Sequence, residues 1–293
     1  MFISRKLNSN TWVISGEGCD CYLLEGTNEA IVIDAGESTE NIRVYAQTLT
    51  ELPLSKVINT HAHFDHTGGN GHFETVFATK GVARSAKNTM GAPRENYPLD
   101  YKFTYVNDGD VIPIEGRPLT VITLDCHSPE DIALLDTENR MLFSGDEVES
   151  GQVLLLPGYA EEPGQIHAKP AASVETCLEA MLRLKAEEAY FDMIYPAHNG
   201  TPIDKSYLDR FIYLCRGIMS GSIIGDTDCS SSSYNASATH FPNPEACYRR
   251  AVHDGAVIIY CERLIFDKDY ETADTLPVAT PLHVISSEFA CKP

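Results

Sequence analysis

The chain has 293 residues, which is long enough to bury a sizeable hydrophobic core. Its 22 Lys and Arg side chains stand against 42 Asp and Glu side chains, giving a net charge of −20 at pH 7. This acidity argues against a nucleic acid or an anionic membrane as the main partner. No apolar run reaches the roughly 18–20 residues of a membrane-spanning helix, and the first residues show no signal-peptide pattern.

The nine cysteines are scattered along the chain without a CxxC pair. This distribution is typical of reduced thiols, so we predict a cytoplasmic protein. Cys19 and Cys21 lie two residues apart on a predicted strand and therefore face the same side, where we expect them in the core.

The first half of the chain alternates short β-rich runs with helical stretches. Residues 39–52 have helical character and end before Pro53. Turn residues at positions 107–110 and 136–139 separate several of the later strands. The predicted strands cover residues 11–15, 21–25, 30–34, 56–59, 75–78, 103–106, 111–114, 119–124, 132–135 and 141–144.

The second half begins with a long loop over residues 147–170, rich in Gly and Pro. Later loops are predicted over residues 221–243, and a hairpin over residues 246–262 turns at His253-Asp254-Gly255. We predict a single domain over residues 1–293, with a loop-rich C-terminal part from about residue 216. The remaining predicted elements are helices over residues 171–186 and 206–219 and a strand over residues 193–195.

A dense run of possible metal ligands, Thr-His-Ala-His-Phe-Asp-His, follows the strand predicted over residues 56–59. His61 and His63 lie two residues apart on an extended chain, so they face the same side and can bind one ion. Asp65 and His66 follow in a predicted turn, made possible by the pair Gly68-Gly69, and can bind a second ion. Imidazole and carboxylate groups are ligands of Zn²⁺ and neighbouring first-row ions.

Three further ionisable residues follow predicted strands later in the chain. They are His127, Asp146 in Ser-Gly-Asp, and His198 in Pro-Ala-His. Strand ends at one edge of a sheet can converge on a single cleft. Each residue alone is a weak signal, but the three together with the His-rich run indicate a metal centre.

This pattern resembles the metallo-β-lactamase-fold hydrolase superfamily over about residues 10–215. The resemblance implies an α/β fold, a four-layer αββα sandwich with the site at the shared edge of two sheets. It further implies that Asp146 bridges two metal ions. Under this resemblance the first ion is bound by His61, His63 and His127, and the second by Asp65, His66 and His198.

Such a centre implies metal-dependent hydrolysis. Two divalent ions, most simply Zn²⁺ with Mn²⁺ and Fe²⁺ as alternatives, would share a hydroxide at neutral pH, because zinc lowers the pKa of bound water to about 7. That hydroxide would attack an acyl carbon or a phosphorus. Asp65 and Asp146 are the predicted catalytic carboxylates: Asp65 lies beside the nucleophile and Asp146 bridges the metals.

Comparison within the superfamily narrows the substrate. True zinc β-lactamases lack the bridging aspartate, which makes a dedicated antibiotic hydrolase a poor match. The glyoxalase II-like and lactonase-like branches keep the whole ligand set, but the basic C-terminal domain that binds glutathione is not recognisable here. A small ester, lactone or thioester is the expected substrate class. A phosphodiesterase and an iron-dependent redox enzyme similar to sulfur dioxygenases are the alternatives.

Substrate contacts are expected from loops over the cleft and from one residue near His198. The candidates are Tyr159, His167, Tyr195 and Tyr234. We expect a small-molecule substrate, no nucleic acid and no membrane partner, and leave a homodimer open. Cys126, beside His127, is interpreted as a small packing residue, with an oxidation-prone thiol as the alternative.

Overall fold

The structure is a computed structural model that describes residues 1–37, 40–87, 97–155, 172–227 and 248–269. The chain divides into two compact units. The first unit comprises residues 1–124, 130–147 and 189–204. The second unit comprises residues 125–129, residues 148–188 and the chain from residue 205 onward. The prediction of a single domain stays a prediction.

The first sheet of the first unit has seven strands. They are β1 Ile3–Asn8, β2 Thr11–Glu17, β3 Cys19–Glu25, β4 Ala30–Ile33, β5 Leu54–Ile58, β6 Thr75–Ala78 and β7 Lys102–Tyr105. Their spatial order follows the chain order. Strands β1 to β4 pair antiparallel, whereas β4 to β7 pair parallel. The parallel part needs crossovers, which contain the helices α1 Ile42–Gln47, α2 Phe64–Thr67 and α3 Lys80–Ser85.

The second sheet of the first unit has six strands. They are β8 Val111–Ile112, β9 Leu119–Leu124, β10 Asp131–Asp136, β11 Met141–Gly145, β13 Met193–Pro196 and β14 Ile203–Asp204. Their spatial order is β14-β13-β11-β10-β9-β8. Strands β11 and β13 are parallel, so both point their carboxyl ends to the same edge of the sheet.

Two apolar layers hold the first unit together. Strand β4 shows how: Ile31 and Ile33 pack toward the second sheet, against side chains such as Phe143, while Val32 packs on the opposite face with Ile42 of α1. Successive strand residues point to opposite faces, so a strand covered on both sides is apolar throughout. The first unit is thus layered helix, sheet, sheet, and each buried large apolar side chain contributes about 1.5–3 kcal/mol.

The second unit contains a three-stranded sheet and two long helices. Its elements are β12 Val153–Leu154, β15 Tyr248–His253, β16 Ala256–Cys261, α4 Val174–Ala186 and α5 Tyr207–Met219. The strand order is β12-β16-β15, with β15 and β16 forming the predicted hairpin. Strand β12 lies inside the predicted loop over residues 147–170, so that part of the loop prediction was wrong. Strand β12 has only two residues, both paired with β16, and two residues are too few for an alternation of apolar and polar side chains to be recognised in the sequence.

Every predicted strand is present, with bounds that differ by two residues or fewer. The first predicted helix is shorter than expected, because Asn41 caps it through a hydrogen bond from the Val44 backbone N–H and it ends before Thr48. Strand β1 was missed because four of its six residues are exposed, so it lacks an apolar alternation. Within the described residues, no helix is both long and apolar enough to cross a membrane.

Candidate metal centre

The His-rich run leaves strand β5 and enters the short helix α2. His61 and His63 lie on the extended segment, and His63 is the residue that precedes the helix, with φ −62° and ψ 147°. Asp65 and His66 lie in the helix itself, so the predicted turn is one helical turn. The extended-then-helical path presents the four side chains in two directions, as the spacing predicted.

The pair Gly68-Gly69 is not needed for the turn that the sequence predicted, and Gly69 allows close packing instead. Gly68 has a helical φ of −57°, which any residue adopts, so no turn requires a glycine there. A Cβ at Gly69 would instead lie 2.3 Å from the carbonyl oxygen of Ala35. The absence of a side chain at Gly69 therefore lets the segment after α2 pack closely against Ala35, which lies just beyond the end of strand β4.

One group of possible ligands comprises Asp65, His66 and His198. The Nε2 atoms of His66 and His198 are 3.2 Å apart. Oδ2 of Asp65 lies 3.2 Å from Nε2 of His198 and 3.5 Å from Nε2 of His66. Residues that lie more than 130 positions apart in the chain thus present their ligand atoms to one point.

A second group comprises His61, His63 and Asp146. One ligand atom of each lies within 4.8 Å of the other two, and all three residues are buried. The rings of His61 and His63 have their centroids 4.5 Å apart at an interplanar angle of 74°. Asp146 directly follows strand β11, as the sequence pattern indicated.

Asp146 contacts members of both groups. Its Oδ1 lies 3.4 Å from Nε2 of His66. Its Oδ2 lies 3.4 Å from Nε2 of His198 and 3.8 Å from Nε2 of His61. This position is the one that a bridging carboxylate needs.

Asp34, which the sequence pattern did not identify as a site residue, orients one imidazole in each group. Its Oδ2 accepts a hydrogen bond from Nδ1 of His66 at 2.9 Å and another from the Thr60 hydroxyl at 2.7 Å. Since that hydroxyl donates to Asp34, its oxygen accepts from Nδ1 of His61, 3.1 Å away. Such contacts fix the imidazole tautomer and leave Nε2 with its lone pair. The sequence feature that could have identified Asp34 is its position directly after the apolar strand β4.

A buried amide pair lies behind the His-rich run. Asn59 and Asn70 exchange two hydrogen bonds of 3.0 and 2.8 Å, and both side chains are fully buried. The Asn59 amide also donates to the backbone carbonyl of His66 at 3.2 Å. This pair therefore helps to fix the backbone of α2 at His66.

The charged groups of the cluster shift the pKa values of its two carboxyl groups. Burial alone would raise the pKa of Asp146, but the imidazoles of His198, His66 and His61 outweigh it and hold the pKa well below the usual value. The pKa of Asp65 is lowered in the same way, with His66 and His198 outweighing burial. Both carboxyl groups are therefore ionised at neutral pH.

The donor set fits a divalent cation. Nε2 of His66 carries a lone pair, because Nδ1 donates to Asp34, yet it faces another imidazole nitrogen and two carboxylate oxygens. Acceptor atoms at such distances repel one another, so the cluster favours a positive charge at its centre, which a proton on an imidazole or a divalent cation supplies. Imidazole and carboxylate are the ligands that Zn²⁺, Mn²⁺ and Fe²⁺ take in proteins.

His127 belongs to the second unit. Its Nδ1 donates to the backbone carbonyl of Leu154 at 2.9 Å, which leaves Nε2 with a lone pair, as a metal ligand requires. Its predicted part in the first metal site stays a prediction.

The predicted substrate contacts divide into two kinds. Tyr159, His167 and Tyr234 lie outside the described residues. Tyr195 lies on β13 and packs against the rings of Phe143 and Tyr22, with centroid distances of 5.5 and 6.2 Å. These core contacts account for Tyr195 without a substrate, and its role in binding stays a prediction.

The family model of the metallo-beta-lactamase superfamily matches residues 14–198. The chain belongs to the metallo-beta-lactamase superfamily. The matched region contains every predicted metal ligand, from His61 to His198. Membership confirms the resemblance inferred from the His-rich run.

Several curated proteins are similar to this member of the superfamily. The "Acyl-coenzyme A thioesterase MBLAC2" of Gallus gallus is 31% identical over 170 residues, which cover 48% of this chain and 61% of that protein. The human protein of the same name is 28% identical over 221 residues, 64% of this chain and 75% of that protein. A "Hydroxyacylglutathione hydrolase" of Hydrogenovibrio crunogenus is 28% identical, over 60% of this chain and 54% of that protein.

Solved structures share the fold. A metallo-beta-lactamase from Pontibacter korlensis has a TM-score of 0.55 and 20% identity, over 73% of this chain and 98% of that one. The sec-alkyl sulfatase PisA1 has a TM-score of 0.59 and 15% identity, over 75% of this chain and 42% of that one. These likenesses confirm the predicted metallo-β-lactamase fold. A lactamase and a sulfatase on one fold show that the fold does not decide the substrate.

Proposed function

We propose that the chain is a dinuclear metal-dependent hydrolase that cleaves small acyl thioesters. The observation that carries this proposal is the position of Asp146, whose two carboxylate oxygens face imidazoles of two different ligand groups. A site for a single ion has no need of a carboxylate placed between two groups. Asp146 therefore supports two metal ions rather than one.

The proposed ligands are those named from the sequence. His61 and His63 would bind one ion, with His127 as the third ligand on the strength of the superfamily resemblance alone. Asp65, His66 and His198 would bind the other, and Asp146 both. A bound pair of Zn²⁺ ions supplies Lewis acidity toward the acyl oxygen and lowers the pKa of water at the site.

The chain's own groups orient the reactants. Asp65 is half-buried and ionised, so its carboxylate can accept a hydrogen bond from an attacking water and hold that water toward the acyl carbon. Asp34 keeps the Nε2 lone pairs of His66 and His61 directed inward. Tyr159, His167 and Tyr234, which lie outside the described residues, remain our candidates for substrate contacts.

The acid–base state of the cluster favours a thioester over an alkyl ester or lactone. Asp65 and Asp146 are both proposed metal ligands, and a metal-bound carboxylate stays ionised, so neither is a good proton donor to a leaving group at neutral pH. A thiol has a pKa of about 8.5, so a thiolate can depart without being protonated. An alkoxide is far more basic and needs a donor. The names of the MBLAC2 relatives point to the same substrate class.

A paired-substrate assay tests the proposal. Protein loaded with Zn²⁺ or Mn²⁺ is given acyl-coenzyme A thioesters of several chain lengths, an alkyl ester with the same acyl group, an acyl-lactone and a phosphodiester. We expect two metal ions per chain and metal-dependent release of the thiol, with much slower cleavage of the matched ester.

The outcomes of this assay separate the alternatives. Faster cleavage of the lactone or the alkyl ester would overturn the thioester assignment but keep the hydrolase. Phosphodiester cleavage would support the phosphodiesterase. A separate measurement of oxygen consumption by iron-loaded protein tests the redox alternative. A cytoplasmic location and a small-molecule substrate, without nucleic acid or membrane, are part of the same proposal, and a homodimer stays open.

A further inference from the structure

Three buried cysteines lie together in the second unit. Cys126 lies in the segment 125–129, Cys177 on helix α4 and Cys215 on helix α5. All three have no exposed surface. Sγ of Cys126 lies 2.8 Å from Sγ of Cys177, and the Cys215 thiol hydrogen-bonds Cys177. None of the three was assigned a role in the hydrolysis.

We propose that Cys126 and Cys177 are a redox modification site, a thiol pair that closes to a disulfide. The bond length of a disulfide is about 2.0 Å, so the two sulfur atoms need to move together by only about 0.8 Å. Two thiolates on one tetrahedral Zn²⁺ ion, with Zn–S bonds of about 2.3 Å, would lie about 3.7 Å apart. The observed separation favours a covalent bond between the sulfurs over a shared soft metal ion.

The hydrogen bonds decide which thiol reacts first. The Cys126 thiol donates to Cys177. The hydrogen bond to Cys177, together with burial, raises the pKa of Cys215 well above its usual value, so Cys215 stays a protonated donor. Cys177 thus contacts both of the other thiols, so it is the sulfur best placed to react with a neighbour. Cys177 is the attacking sulfur, Cys126 its partner and Cys215 the spectator.

A hydroperoxide is the oxidant class that fits, because it is small. The Cys177 sulfur attacks one peroxide oxygen, the O–O bond breaks, and the Cys177 proton leaves with the departing hydroxide as water. The Cys126 sulfur then attacks the sulfenic sulfur, and its proton leaves with the sulfenic hydroxyl as a second water. The two thiols lose two electrons and the peroxide gains them. Since both thiols are buried, local opening limits the rate.

The bond would constrain a functional part of the chain. Cys126 and Cys177 are 51 positions apart, and the loop that they close contains Asp146 as well as His127, the residue next to Cys126. A cross-link across so long a loop restricts the unfolded chain, so the oxidised protein should melt at a higher temperature than the reduced protein. A bond that did not fit the native geometry would lower the melting temperature instead.

Peptide mapping of the full chain tests the proposal without any activity assay. Protein treated with hydrogen peroxide is alkylated, digested and analysed by mass spectrometry, with a dithiothreitol-reduced sample beside it. We expect a reducible link between the peptides of Cys126 and Cys177, and a higher Tm after oxidation. Sulfinic acid in place of a link, a link to other cysteines, or a lowered Tm would overturn the proposal.

Two matched variants sharpen this result. Cys215→Ser removes the third thiol of the same cluster and should keep the link between Cys126 and Cys177. Cys177→Ser should abolish it. If Cys177→Ser does not fold, the peptide map of the unmodified chain decides by itself. Loss of the link in Cys215→Ser would overturn the assignment of Cys215 as the spectator.

Discussion

The ion pair of Arg117 with Asp136 and the cluster around Asp146 both bury ionisable side chains in the first unit, but they satisfy them differently. Nε of Arg117 donates to Asp136 at 2.7 Å. Its other nitrogens donate to the carbonyl oxygen of Asn10 at 2.6 Å and the Thr11 hydroxyl at 2.7 Å. Around Asp146, by contrast, the Nε2 atoms of His66 and His198 and both carboxylate oxygens converge on one point.

This difference separates a structural polar site from a functional one. In the ion pair each of the three guanidinium nitrogens donates to an acceptor, so the region is satisfied without any added group. In the cluster, imidazole and carboxylate groups converge in an arrangement that suits a cation from outside the chain. We therefore expect substitutions in the ion pair to change stability and substitutions in the cluster to change metal binding and turnover.

The largest expected effect is that of Asp146→Asn. The amide removes the charge that faces both ligand groups, so the metal content should fall below two ions per chain and kcat/KM for the thioester should fall at least about 10³-fold. Elemental analysis and a thiol-release assay measure the two quantities. Asp209→Asn, an equally conservative change on the exposed side of α5, serves as the control and should change neither. Unaltered metal stoichiometry in Asp146→Asn would contradict the bridging role.

Arg117→Met tests the other region. It leaves the Asp136 carboxylate buried without its charge partner, and we expect a loss of about 3–5 kcal/mol in the free energy of unfolding. Urea denaturation of the metal-free protein measures this loss. The folded fraction should keep its metal content and its kcat. Arg140→Met, which breaks an exposed ion pair with Asp192, should leave the denaturation midpoint nearly unchanged.

We expect an intermediate effect from Asp34→Asn, because Asp34 is buried and acts by orienting two proposed metal ligands. The amide weakens the acceptor for His66 and for Thr60, so we expect the Kd for Zn²⁺ to rise about 10–100-fold. Competition with a chromophoric chelator measures this change. A wild-type Kd would show that the imidazoles are oriented without Asp34.

The smallest expected effect is that of Asn59→Ala. It removes the paired amide bonds to Asn70 and the donor to the His66 carbonyl, and buried amide groups left without partners cost about 1–3 kcal/mol. Thermal or urea unfolding shows this loss, whereas kcat for the thioester should change less than in Asp146→Asn. A larger loss of turnover than of stability would place Asn59 with the metal centre rather than with the supporting structure.

The parts that could be predicted from the sequence share a physical basis. Strands such as β4 and β9 were found because apolar side chains alternate or run without a break where a sheet is covered. The run from His61 to His66 was found because consecutive positions on an extended chain have fixed directions. Edge and two-residue strands, such as β1 and β12, were missed because pairing with a neighbour, rather than composition, makes them strands.

By itself the sequence determined the residue types of the site, their order and the superfamily, since these depend on local spacing. Only the tertiary structure decided that Asp146 faces two ligand groups, that Asp34 orients two imidazoles, and that the glycines allow close packing. It also brought Cys126 to Cys177 across 51 positions. These contacts join residues that lie far apart in the chain, and the packing of sheets and helices sets their distances. A local sequence pattern contains no information about that packing.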